Sequence, residues 1–90
     1  MKDKSAMKEE LRTYIVSAFL PGESLADLKD DTPLRTSGLI DSMGLLRLVG
    51  FAENQYGIEL QAYETSIENF DTIDAIADLI ARKISGESKS

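Results

Sequence analysis

The chain is expected to fold as a small all-α bundle of three long helices and one short one. Three observations predict this. Apolar residues recur at offsets of three and four in three separate stretches, no apolar/polar alternation runs longer than a few residues, and each helical stretch stops at glycine or proline. Ninety residues are enough for one core, so a single domain over 1–90 is expected, folded over about 8–85 with frayed polar ends.

The first helix is read over 8–20, where Leu11, Tyr14, Ile15, Ala18 and Phe19 form a stripe and Pro21-Gly22 follow as a stop. The segment after it carries Pro33, Gly38 and the polar run Asp30-Asp31-Thr32, so it reads as a long connection pinned by Leu25, Leu28, Leu34, Leu39 and Ile40. Loops of this length in so small a domain are often functional. A second helix is predicted from Asp41, a good N-cap, to Tyr56, with Leu46, Val49, Ala52 and Tyr56 at helical spacing and Gly57 as C-cap. Gly44 and Gly50 each cost this helix about 1 kcal/mol against alanine, which close contact with another backbone or a ligand would explain. A single turn is expected near 65–69. The last helix is read with Asp71 as cap, Phe70 stapled on Ala75, and Ile73, Ile76, Ala77, Ile80 and Ile84 as its stripe, stopping at Gly86.

Composition excludes several functions. Sixteen acidic against ten basic residues give a net charge of −6, which repels nucleic acid and anionic lipid and favours basic protein surfaces as partners. No apolar run approaches the ~18 residues of a membrane span, and a cytoplasmic location is expected. The chain has no cysteine and no histidine, so there is no disulfide, no thiolate or imidazole metal ligand and no cysteine nucleophile. Neither a metal site nor a catalytic residue is expected. The acidic segment 27–31 lacks the glycine and distal glutamate of an EF-hand and reads as a solvated loop.

The most informative stretch is Gly38-Leu39-Ile40-Asp41-Ser42-Met43, where an apolar loop runs into a capped helix and leaves Ser42 on its first turn. Free backbone N–H groups and the helix dipole favour an anion there by ~0.3–1 kcal/mol, so a phosphodiester on Ser42 would sit in a suitable field. The plain alternative is that Asp41 and Ser42 only cap the helix. A hydrolytic role for Ser42 would need a base within reach, and no histidine supplies one.

This motif, with Leu46 and Val49 behind it, resembles the Asp-Ser-Leu/Met signature of acyl and peptidyl carrier proteins. The likeness extends through Thr32-Pro33-Leu34 before the motif, and through Tyr56-Gly57-Ile58-Glu59-Leu60 and Phe70-Asp71-Thr72-Ile73 after it. The resemblance implies a four-helix carrier fold and a 4'-phosphopantetheine arm moved from coenzyme A to Ser42 by a phosphopantetheinyl transferase. The arm's terminal thiol would hold an acyl or aminoacyl thioester, and the carrier itself would catalyse nothing. The absence of cysteine agrees with this, since no thiol of the protein would exchange with the thioester.

Fatty-acid carriers typically bear acids on the helix after the serine. Here Gly44, Arg47, Asn54 and Gln55 occupy much of that face and Glu53 is its one acid. The motif and the Glu68-Asn69-Phe70-Asp71-Thr72-Ile73 segment most resemble stand-alone carriers loaded by acyl- or aminoacyl-adenylating ligases, a group that includes the D-alanyl carriers of cell-wall modification. A downstream acyltransferase or synthase would then take the cargo. Met43, Leu45, Leu48 and Phe51 leave more apolar surface around this helix than its core stripe needs, so Leu39, Ile40, Met43, Leu45, Arg47 and Phe51 are candidate partner contacts, the alternative being that some of these residues pack under the long loop. A monomer is expected, because a carrier visits several enzymes with its serine face free. The rival reading is an acidic helical interaction module in which Ser42 serves only the cap.

Overall fold

The computed structural model describes residues 4–19, 22 and 28–85. Four helices are present among them: α1 (Lys4–Phe19), α2 (Ser42–Tyr56), α3 (Ile67–Phe70) and α4 (Ile73–Ser85), with a 3₁₀ turn at Ala62–Thr65 leading into α3 and no strand. The protein is therefore the small all-α bundle that its periodicity predicts. None of the described helices is long and apolar enough to cross a membrane. The stop at Pro21, the anchor at Leu25, the stop at Gly86 and the tail beyond it lie outside the described residues.

Packing of α1 against α4 is the main helix contact. α1 begins at Lys4, a turn before the position its central stripe suggests, because Met7 continues the spacing of four through Leu11 and Ile15 and is itself buried. Its charges reach across rather than into solvent alone: Lys4 pairs with Asp78, and Lys8 with Asp74 at 2.6 Å, both on α4. Leu11, Ile15, Leu34, Ile40, Leu48, Phe70, Ile73, Ile76 and Ile80 are the fully buried large side chains. Leu79 is buried as well, beyond the stripe read for α4, while Ile84 is only half-buried.

The register of α2 differs from the sequence reading. Gly44, Leu48 and Ala52 are its buried residues, whereas Leu46 is 65% exposed. Successive residues turn by about 100°, so Leu46 lies about 200° from both Gly44 and Leu48 and faces outward once those two face inward. Sequence alone did not discriminate, because α2 is apolar on most of its circumference. Close approach at Gly44 sets the rotation. A Cβ there would stand 2.8 Å from Ile40 Cγ2 and 3.0 Å from Phe19 Cε1, while a Cβ on Gly50 would meet nothing within 4 Å. The close contact that Gly44 serves is thus with side chains, and Gly50 serves none. Gly44→Ala is expected to lower stability by roughly 1–3 kcal/mol through overpacking. Gly50→Ala is expected to raise it by about 0.5–1 kcal/mol. Urea unfolding of both variants checks the pair.

The N-terminus of α4 is also built differently. Thr72, not Asp71, caps it: Thr72 Oγ1 accepts from the Ala75 N–H at 3.0 Å and the Thr72 carbonyl from the Ile76 N–H at 3.0 Å. With the cap one residue later, the Phe70–Ala75 staple is out of register, and Phe70 is instead a fully buried core residue. Asp71 is freed to hold the long connection. Its Oδ1 accepts from the N–H groups of Leu34, Arg35 and Thr36 at 3.2, 2.9 and 3.0 Å, and its Oδ2 from the Thr36 hydroxyl at 3.1 Å. These bonds, the Thr36 N–H foremost, hold its carboxyl below the usual range against the opposing effect of burial.

The connection is further tied at its start, where Arg12 Nε donates to the Leu28 carbonyl at 2.9 Å and Arg12 pairs with Asp30. Leu28, Leu34 and Ile40 are its buried anchors, and Leu39 is half-buried. In the short turn after α2, Glu64 is almost fully buried, accepts from the Gln61 N–H at 2.8 Å and is bonded by Lys83 at 2.9 and 3.1 Å. The Gln61 N–H and then Lys83 hold its carboxyl below the usual range, and the pair fastens the 3₁₀ turn to the end of α4.

Candidate functional site

Three devices place the start of α2 at the surface. The Ile40 N–H donates to the Leu34 carbonyl at 2.9 Å, and Arg35 Nη1 to the Ile40 carbonyl at 3.1 Å, which closes the loop 34–40 on itself. Gly38, at φ 83, supplies the left-handed residue this loop needs, adopted there without the strain a side chain would bring. Asp41 then caps α2 from an extended conformation, its Oδ1 accepting from the Gly44 N–H at 2.8 Å and its carbonyl from the Leu45 N–H at 2.8 Å. At the far end Gly57, at φ 64, is the left-handed C-cap, donating to the Glu53 carbonyl.

Capping is thus performed by Asp41, and Ser42 is left over. Ser42 is the first residue of α2, is exposed, and its hydroxyl has no hydrogen-bond partner among the described residues. The N–H groups of Ser42 and Met43 have no acceptor among the described residues either, as expected for the first turn of a helix. An anion on Ser42 would meet these donors and the positive end of α2. Among the described residues no side chain is hydrogen-bonded to the hydroxyl as a base: Asp41 Oδ1 accepts from the Gly44 N–H, and the chain has no histidine.

A cleft of about 280 Å³ opens beside Ser42, walled by Phe19, Leu39, Met43, Gly44 and Arg47. Of the partner contacts expected from sequence, Leu39, Met43 and Arg47 come together here. Met43 is 66% exposed and shares one face of α2 with exposed Leu46 and Arg47. Ile40 is not on the surface: it is 1% exposed and belongs to the core, because the loop folds inward over Leu34. Leu48 is fully buried and Leu45 half-buried against the same core. Phe51 faces a different groove, stacked on Tyr14 with ring centroids 4.1 Å apart.

Two members of the site were missed from sequence. The spacing of α2 points Leu46 inward for the reason of register already given, and Phe19 reads only as a stripe residue of α1. Phe19 lies edge-to-face with Tyr14 at 6.0 Å and against Gly44, a contact between distant positions that Gly44 signalled without naming its partner.

Fold and site together define a small helical bundle that presents a free serine at the capped start of its second long helix. The chain matches no known family model and no curated protein.

Proposed function

We propose that the protein is a carrier that holds an acyl or aminoacyl group on a 4'-phosphopantetheine arm attached to Ser42. One observation carries the reading: Asp41 alone caps α2, so the exposed Ser42 hydroxyl is uncommitted within a motif similar to that of acyl and peptidyl carriers. The residues present fit the group. Ser42 offers its oxygen, the N–H groups of Ser42 and Met43 offer unpaired donors to a phosphodiester, and Arg47 stands in the adjoining cleft. When bound, the arm supplies a thiol that carries cargo as a thioester. Attachment needs an outside enzyme, because no described residue is bonded to the Ser42 hydroxyl as a base. In that step Ser42 Oγ forms a bond to the phosphorus that carries the pantetheine of coenzyme A, and the pyrophosphate bond breaks. Adenosine 3',5'-bisphosphate leaves, and the hydroxyl proton passes to the transferase or to solvent.

On this reading an adenylating ligase loads the arm, a downstream acyltransferase or synthase unloads it, and the carrier works as a cytoplasmic monomer. A second reading, a protein-interaction module docking through α2, is favoured by the exposure of Met43 and Leu46.

Intact mass after incubation with coenzyme A, magnesium and a broad-specificity phosphopantetheinyl transferase separates the two. Wild type is expected to gain one phosphopantetheine unit and Ser42→Ala none. An unmodified, folded wild type, beside a control carrier modified in the same reaction, would remove the carrier reading and leave the interaction module.

A further inference from the structure

A second groove, of about 380 Å³, lies between α1 and α2. Tyr14 and Phe51 line it together with Glu9, Glu10 and Gln55. Its exposed lining is mostly apolar and includes two acids, which suits a small ligand with an apolar body and a positive charge. Both carboxylates are held in place: Glu10 accepts from the Tyr56 hydroxyl at 2.6 Å, and Glu9 is paired with Arg12. Aspartates and glutamates already engaged in this way still carry oxygens that accept further donors.

The groove adjoins the Ser42 cleft. Phe19, in the wall of that cleft, lies edge-to-face with Tyr14, and the Tyr14 hydroxyl donates to the Arg47 carbonyl at 3.4 Å. A line of rings, Phe19, Tyr14, Phe51 and Tyr56, therefore runs from the cleft into the groove. From Ser42 to Phe51, α2 rises about 14 Å and turns through about 180°, so an arm on Ser42 reaches the groove by passing over the cleft at Met43, Gly44 and Arg47. A phosphopantetheine arm has about 14 bonds between Ser42 Oγ and its sulfur and spans roughly 17 Å when extended. Tethering also gives its cargo an effective concentration on the order of millimolar at any site within reach, so even a weak site is occupied.

We infer that the α1–α2 groove is a resting site for arm-borne cargo of one chemistry, an aminoacyl group with an apolar side chain, its ammonium at Glu9 and Glu10 and its side chain on Tyr14 and Phe51. The inference rests on the carrier reading. It goes further by choosing a cationic cargo over a neutral fatty acyl chain and by giving that cargo a place.

The test loads leucyl-, octanoyl- and unacylated pantetheine onto Ser42 through stable amide analogues of coenzyme A, with intact mass recording the loading. Ring signals of Tyr14 and Phe51 are then followed by NMR. The leucyl arm is expected to shift both rings relative to the unacylated arm. The Glu9→Gln/Glu10→Gln protein, which keeps the acceptor for Tyr56, is expected to lose that shift while its unacylated spectrum stays folded. Fully loaded protein with the same ring signals for leucyl and unacylated arms would overturn the inference and leave the carrier reading standing. Octanoyl shifts as large as leucyl ones, with the leucyl shifts insensitive to the double substitution, would overturn the choice of a cationic cargo. Failure of any arm to load would overturn both readings together.

Discussion

Leu48→Ala will lower the stability of the fold by about 2–5 kcal/mol, whereas Leu46→Ala, two residues earlier, will change it by no more than about 0.5 kcal/mol. The sequence reading puts Leu46 on the inward stripe and Leu48 outside it, the reverse of what the structure shows. In the structure Leu48 is fully enclosed, with Ala52 a turn further along on the same buried face of α2, and truncating it removes apolar burial and leaves a void. Leu46 is exposed beside Met43 and Arg47, so its truncation removes surface that was wet before. Urea unfolding of the two variants measures the difference. Equal losses would mean that α2 is rotated from the position described, and that the apolar face beside Ser42 is smaller.

Asp71→Ala will lower stability by roughly 3 kcal/mol, since it strips a charged acceptor from three successive backbone N–H groups and a hydroxyl. Asp71→Asn keeps an acceptor and loses the charge, so its loss will be smaller. The pH dependence has a definite sign. The folded state holds the Asp71 carboxyl below its ordinary value of 3.8, so in acid the unfolded chain binds the proton first and stability falls as pH falls. The contribution is fully present above the ordinary value and is lost as pH drops through the lower, folded one. Stability measured from neutral pH into acid will therefore fall more steeply in wild type than in Asp71→Asn. The slope that remains in the variant belongs in part to Glu64, whose carboxyl is held down in the same direction. An identical acid slope in the two proteins would show that the carboxylate does not hold the loop by its charge.

The functional consequence of that loop clasp is local. Asp71 sits just before α4, far along the chain from Ser42, yet it fixes residues 34–36. Leu34 in turn holds Ile40 through a backbone hydrogen bond one residue before Asp41. Loosening it is expected to blur the start of α2, where the serine is presented, as well as to cost stability.

The helices themselves were legible because periodicity and punctuation are local properties. Asp41 as N-cap, Tyr56 as last residue and Gly57 as C-cap of α2 follow from side-chain chemistry within a few positions, and so does the prominence of Ser42. Met7 was readable in principle by the same spacing, but its charged neighbours masked it until Lys4 and Lys8 met Asp78 and Asp74 on α4. Which of Asp71 and Thr72 caps α4 was not readable, because both are good caps and the choice turns on three N–H groups more than thirty residues away.

From the residues alone, then, came the all-α class, the order and approximate ends of the helices, the acidic character and the one serine worth testing. Tertiary structure alone decided the rotation of α2, the burial of Ile40 and Leu48, the exposure of Leu46, and the meeting of Phe19 with Gly44. The division has a physical cause. A helix forms from contacts three and four residues apart, whereas the way a mostly apolar helix turns depends on which side chain can approach it most closely, and here that is settled by the absence of a Cβ at Gly44 facing Ile40 and Phe19.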